Sequence, residues 1–169
     1  MNVSETTTIN PYPQEQILID FIPKIKKGER VLCTSLGRAQ FAYAFIQQRP
    51  ASYVYCHYLD LYRAQLAWEF ITNPPANLSI RCAADFPEEK FDIVALPTSY
   101  SDEAELTREM MQAGHLLLQL NGQMIVTTDN RKDVWIGSEM AKIFPKVTRI
   151  PDERGTLYWA TKTKSLKKN

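Results

Sequence analysis

Cysteine and histidine are scarce in this sequence of 169 residues, with three of the first and two of the second. Cys33, Cys56 and Cys82 are odd in number, widely spaced, and each set in an apolar run. That argues against a disulfide framework and for buried, reduced thiols. No C-x-x-C or H-x-x-x-H spacing occurs, and His57 and His115 fall in different expected elements, so no metal is expected. An excess of charge is missing too. The formal net charge is +1, too small for a global field that gathers nucleic acid or anionic membrane. No stretch approaches the roughly 18 apolar residues of a membrane span. The opening "MNVSETTTIN" lacks the basic and apolar regions of a signal peptide, and a cytoplasmic location is expected.

What remains is an ordinary globular composition, 44% hydrophobic and 23% charged, of a length that suits one domain. Residues 1–12 are polar and Thr-rich, and a disordered leader is expected there. Residues 13–164 carry the hydrophobic patterning of a single domain, and 165–169 form a basic tail. The last eight residues hold four lysines and read as a solvated terminus.

In "QEQILIDFIPKIKK" Ile17, Leu18, Phe21, Ile22 and Ile25 share a helical stripe, with Pro23 set to kink or end it. "RVLCTS" reads as a buried strand running into a turn at Gly37, and "AQFAYAFIQQ" as a helix. "YVYCHYLD" is a second strand ending on Asp60, "LYRAQLAWEFI" a helix, and "SIRCAAD" a third strand. "FDIVALP" is a fourth strand, and a long helix is expected from Ser101 to Leu120, capped by Ser101 and stopped by Asn121-Gly122. "QMIVTTD" is a fifth strand, "KDVWIGSEMAKIF" a helix, and "KVTRI" and "TLYWATKT" a closing strand pair around "PDERG".

Alternating strands and helices require right-handed crossovers and a parallel sheet covered on both faces. The final pair, joined by a short turn, must be antiparallel. The expectation is an α/β, Rossmann-like doubly wound sheet of seven strands, mostly parallel, with helices on both faces and an antiparallel C-terminal hairpin.

In such a sheet a ligand sits beyond the carboxyl ends of the strands. The loops that line that crevice offer Ser35, Gly37 and Ala39 after strand one, Asp60 and Leu61 after strand two, and Ala84 and Asp85 after strand three. A carboxylate at Asp60 suits the ribose hydroxyls of an adenosine cofactor, although the same residue also suits a helix cap. Asp85 is placed for a base amine, or for a turn before Pro87. After strand four come Pro97, Thr98, Ser99 and Tyr100. The proline-rich "TNPPAN" lies between a helix and strand three, at the opposite end of the strands, and reads as a turn.

The order of elements, ending in an antiparallel hairpin, resembles that of class I S-adenosylmethionine-dependent methyltransferases. "VLCTSLGRAQFA" is similar to their V-L-D-x-G-x-G-x-G-x-L-A, with Ser35, Gly37 and Ala39 at the glycines and Cys33 at the acid. "FDIVALPTSY" occupies the slot of D-x-x-x-x-N-P-P-[FY], keeping the aromatic at Tyr100 and carrying Pro97 where that pattern has asparagine. "NGQMIVTTDNRKDVW", with Asn130 and Trp135, and "GTLYWATKTK" resemble the closing part of the methyltransferase small-domain family, whose members methylate guanine amines of ribosomal RNA. The resemblance spans roughly residues 13–164.

It implies an S-adenosylmethionine cofactor held by Ser35, Gly37, Ala39, Asp60, Leu61, Ala84, Asp85 and Pro97. It further implies an RNA base or small-molecule methyl acceptor, met by Thr98, Ser99 and Tyr100 in the catalytic positions. The departures at Cys33 and Pro97 leave a second reading open, a non-catalytic methyltransferase-like module for binding or assembly. A third, a NAD enzyme, lacks a full G-x-G-x-x-G.

Overall fold

The structure is a computed structural model and describes residues 9–163. The first eight residues of the expected leader and the basic tail lie outside the described residues. Helix α1 (Pro13–Phe21) opens the domain with proline at its start, and Ile22–Lys24 continue it as a 3-10 turn around Pro23. Then follow β1 (Arg30–Thr34), α2 (Gln40–Gln48), β2 (Tyr53–Tyr58), α3 (Leu61–Phe70) and β3 (Leu78–Cys82). The second half holds β4 (Phe91–Thr98), α4 (Ala104–Leu117), β5 (Leu118–Thr128), α5 (Trp135–Ala141), β6 (Thr148–Asp152) and β7 (Gly155–Thr161).

All seven strands form one sheet in the order β3-β2-β1-β4-β5-β7-β6. The first five are parallel, whereas β7 runs antiparallel to both β5 and β6. The expected hairpin therefore closes the sheet. Pro151 has no amide hydrogen for a ladder, and it sits on the edge strand, where none is required.

Period-two alternation divides the core. On one face Val31, Cys33, Val54, Cys56, Ile93 and Ala95 pack with Ile17, Leu18 and Phe21 of α1 and with Phe41 and Phe45 of α2. On the other, Leu32, Val94, Leu96, Met124 and Val126 pack with Met111 of α4 and with Ile136 and Met140 of α5. Each fully buried side chain of this size contributes about 1.5–3 kcal/mol over exposure.

Two expectations about the ends of elements are corrected. The long helix begins at Ala104 behind Glu103, not at Ser101, because Asp102 and Ser99 close their own turn before it: the Ser99 amide donates to Asp102 Oδ2 at 2.8 Å. Asn121-Gly122 does not stop that helix. It lies inside β5, where Asn121 takes a left-handed φ of 69° and the chain bulges between Phe91 and Ile93 of the neighbouring strand. Residues 83–90 link β3 to β4 without a helix, in keeping with the direct step from the third to the fourth expected strand.

Lys162, read as part of a solvated terminus, is only 5% exposed. Its ammonium donates to the His115 and Leu118 carbonyls at 2.7 and 3.0 Å, where α4 ends. Helix C-termini leave carbonyls unpaired and favour a cation, which accounts for the placement. Cys33 and Cys56 are buried and free, and Cys82 is half-buried and free. Among the described residues no group of His, Cys, Asp or Glu is arranged to hold a metal, and no helix is long and apolar enough to cross a membrane.

Candidate functional site

The parallel strands β1, β2 and β4 all end on one side of the sheet, and there a crevice of about 300 Å³ opens. Ser35 and Leu36 from the first loop, Asp60 from the second and Pro97 from the end of β4 meet in its wall. Leu106 and Met110 of α4 form the opposite side. The size falls at the lower end of the range for small-ligand sites. Leu36 lines the crevice without closing it.

Asp60 lies two residues beyond β2 and caps α3, with its Oδ1 accepting the Tyr62 amide at 2.8 Å. Cap and crevice wall are therefore one residue. Arg63, one turn further on, donates to the Leu36 carbonyl at 3.3 Å and, among the described residues, is the one Lys or Arg of the lining, against Asp60, Asp102 and Glu103. Such a wall favours a ligand carrying positive charge.

Ala84 and Asp85 do not reach the main crevice. They line an adjoining hollow of about 110 Å³ that shares His57, Leu59, Leu106 and Met110 with it. His57 is only 2% exposed and sets its ring edge-on to Phe86, with 4.8 Å between centroids. Neither ring nitrogen has a hydrogen bond of normal geometry among the described residues, nor does the Thr34 hydroxyl. Burial lowers the pKa of His57, offset in part by the Ala83 backbone and the Asp85 carboxylate, so the ring is neutral at pH 7. Buried polar atoms without partners at a crevice wall are open to a ligand.

Gly37, Ala39 and Leu61 also lie outside the crevice lining. Leu61 is the exposed first residue of α3. Gly37 and Ala39 belong to the body of the first loop. Ala39 takes a left-handed φ of 57° and is the residue before α2, a conformation that normally favours glycine. The loop amides are satisfied internally: Gly37 and Ala39 both donate to Ser35 Oγ at 3.1 Å, and Arg38 donates to Gln40 Oε1 at 2.8 Å.

Thr98, Ser99 and Tyr100 line a third hollow, of about 320 Å³, with Asn130, Asp133 and Trp135. Asp102 borders both this hollow and the main crevice. The Thr98 hydroxyl donates to the Thr127 carbonyl at 2.7 Å, and the Tyr100 amide donates to Asp129 Oδ1 at 2.9 Å. Tyr100 is 75% exposed. The Ser99 hydroxyl pairs with the Ser101 hydroxyl at 2.9 Å and accepts the Ser101 amide at 3.3 Å, so the polar oxygens at this hollow include those of Thr98, Ser99, Asp102, Asn130 and Asp133. The group suits a ligand that donates hydrogens.

One residue central to the site went unremarked in the sequence. Glu15, on α1, is fully buried, and its two oxygens receive the Ser35 hydroxyl at 2.7 Å and the Phe41 amide at 2.9 Å. Burial raises its pKa, while the Ser35 hydroxyl and the Phe41, Leu36 and Gln40 amides pull it back. The signal available was its place on the helical stripe, three before Leu18 and seven before Ile22.

No family model matches the chain, and no curated protein matches it in sequence. Solved structures do match in shape. An O-methyltransferase family protein from Burkholderia thailandensis superposes with a TM-score of 0.73 at 14% identity, over 88% of this chain and 56% of that one. The ribosomal protein L11 methylase from Lactobacillus delbrueckii subsp. bulgaricus gives 0.69 at 18% identity, over 88% and 77%. A probable spermidine synthase from Corynebacterium glutamicum ATCC 13032 gives 0.68 at 19%, over 89% and 63%. The chain thus spans little more than half of the Burkholderia protein. The class defined is a fold, the seven-stranded Rossmann-like fold of methyltransferases.

Proposed function

We propose that this protein is an S-adenosylmethionine-dependent methyltransferase acting on a nucleophilic nitrogen or oxygen of an RNA base or a small molecule. The observation that carries the reading is the meeting of Ser35, Asp60 and Pro97 in one crevice whose charged residues are mainly acidic and whose wall holds unpartnered polar atoms at Thr34 and His57. Those residues fit an adenosine-bearing, cationic cofactor. Asp60 would take the ribose hydroxyls, Ala84 and Asp85 would border the base, and Arg63 would face a carboxylate. When bound, the cofactor supplies an electrophilic methyl group on a sulfonium.

The chain's own contribution is placement. Thr98, Ser99 and Tyr100 border the neighbouring hollow, where lone pairs would accept the hydrogens of an amine and keep electron density on its nitrogen. Holding acceptor and donor in line contributes much of the rate of a methyl transfer without a general base. The RNA-base acceptor draws on the likeness of the Asn130 to Trp135 region to the guanine amine enzymes, and on a structural neighbour described as a putative rRNA-methylase from Clostridium thermocellum, with a TM-score of 0.71 at 12% identity. Dinucleotide binding fits poorly, because the N-terminus of α2, where a pyrophosphate would sit, already holds the Glu15 carboxylate.

A specific observation favours the second reading, a binding module without catalysis. The amides of Gly37, Arg38 and Ala39 are all consumed within the loop, and none of them remains for a cofactor. Calorimetric titration with S-adenosylmethionine and S-adenosylhomocysteine decides between the two. Micromolar binding lost in Asp60→Ala supports the enzyme, and silence with both ligands supports the module.

A further inference from the structure

We infer that Glu15 is the positioning residue of the first loop, a carboxylate delivered from the lead-in helix that holds residues 35–41 in ligand-binding shape. The inference rests on the cofactor reading above only for its consequence, not for its geometry. The strand end beside the loop carries Cys33, which has no charge to offer to backbone amides. Glu15 comes from 20 residues upstream of Ser35 to supply one.

Three observations converge. Every side-chain hydrogen bond of Glu15 among the described residues goes to the loop or to the start of α2: Ser35 at 2.7 Å and Phe41 at 2.9 Å. Ser35 relays the hold, since its oxygen receives Gly37 and Ala39 at 3.1 Å each while its hydroxyl hydrogen goes to Glu15. That hydrogen bond fixes the orientation in which the Ser35 lone pairs face both amides. The left-handed Ala39 then has a partner for its strained backbone. A carboxylate at the N-terminus of α2 is stabilised by the helix dipole, which opposes the penalty of burying it.

The same turn of α1 also reaches the other half of the site. Gln14 Nε2 donates to the Thr98 carbonyl at 3.0 Å, and the Thr127 hydroxyl donates to the Gln14 carbonyl at 2.8 Å. Neighbouring residues of one helical turn thus hold the crevice loop and the end of β4 in fixed relation. A residue kept only for core stability would not be a fully buried acid whose partners all lie in the first loop and the first turn of α2.

The test uses the full chain with Glu15→Gln, Glu15→Ala and Ser35→Ala. Hydrogen exchange of the ligand-free protein is followed at the amides of residues 36–41, with β4 and β5 as internal reference. In parallel, S-adenosylhomocysteine is titrated by calorimetry. Loop exchange is expected to quicken about tenfold or more in Glu15→Gln, and further in Glu15→Ala, with β4 and β5 unchanged. Affinity should fall by about tenfold in step with it. Unchanged loop exchange in Glu15→Gln and Ser35→Ala overturns the inference, as does a uniform loss of protection across the sheet. Should Glu15→Ala fail to fold, the other two variants carry the test. If the unaltered protein ignores S-adenosylhomocysteine, the function proposed above fails while the exchange arm still decides the role of Glu15.

Discussion

Tyr58 donates its phenolic hydroxyl to the carbonyl of Gly37 at 2.8 Å, tying the end of β2 to the turn of the first loop. Burial first, then the Cys56 thiol nearby, pushes the Tyr58 pKa up, so the hydroxyl stays a donor at any working pH. Tyr58→Phe removes the donor and keeps the ring. It is expected to lower stability by about 1 kcal/mol and to weaken S-adenosylhomocysteine several-fold, read by urea unfolding and calorimetry. Unchanged values in both would show that the loop does not depend on this tie.

Asp60 both caps α3 and faces the crevice, and two substitutions separate the roles. Asparagine caps a helix about as well as aspartate but lacks the anion. Asp60→Asn should therefore keep its Tm and lose cofactor affinity, whereas Asp60→Ala should lose both, with about 1 kcal/mol of stability gone. Equal affinities for Asp60→Asn and the parent would assign the residue to capping alone.

His115 gives the fold a defined response to acid. It is buried, packs edge-on to Phe144 at 5.0 Å between centroids, and its pKa is pushed down to about 4, by burial first and then by the Lys162 ammonium. Below the ordinary value of 6.5 the unfolded chain takes up the proton and the folded one resists it until about pH 4. Stability is thus complete above pH 6.5 and declines as the pH falls from there toward 4, by on the order of 3 kcal/mol from this residue. His57, also lowered, acts in the same sense, and Glu15, raised, acts in the opposite one. Urea unfolding at pH 7 and 4.5 should show a smaller difference for His115→Met than for the parent.

Ala39 holds a backbone angle that an L-residue adopts at a cost of about 1–2 kcal/mol. Ala39→Gly removes that strain and adds freedom to the unfolded chain, worth about 0.5–1 kcal/mol the other way. A net gain of about 0.5 kcal/mol is expected in the urea midpoint. A loss instead would mean that the methyl group, fully buried, contributes more packing than strain.

Strand and helix identities were legible because hydrophobic period is a local property. Val31 and Leu32 point to opposite faces whatever surrounds them, and the short turn before Gly155 forced an antiparallel close. Asn121-Gly122 misled for the same reason. As a local signal it marks a turn, and only the neighbouring strand shows that the turn is a bulge within β5. Glu15 was hidden because its meaning lies in Ser35 and Phe41, 20 and 26 residues away.

By itself, then, the sequence determined the alternation of elements, the two-faced core and the end of the sheet at which Asp60 and Pro97 emerge. Burial of apolar area follows residue order, and residue order is all that period and turn chemistry require. Tertiary structure alone decided which polar atoms are consumed and which stay open. A hydrogen bond is settled by distance and direction in space, so the filled amides of the first loop, the unpartnered ring nitrogens of His57 and the carboxylate of Glu15 become visible only once the chain is folded.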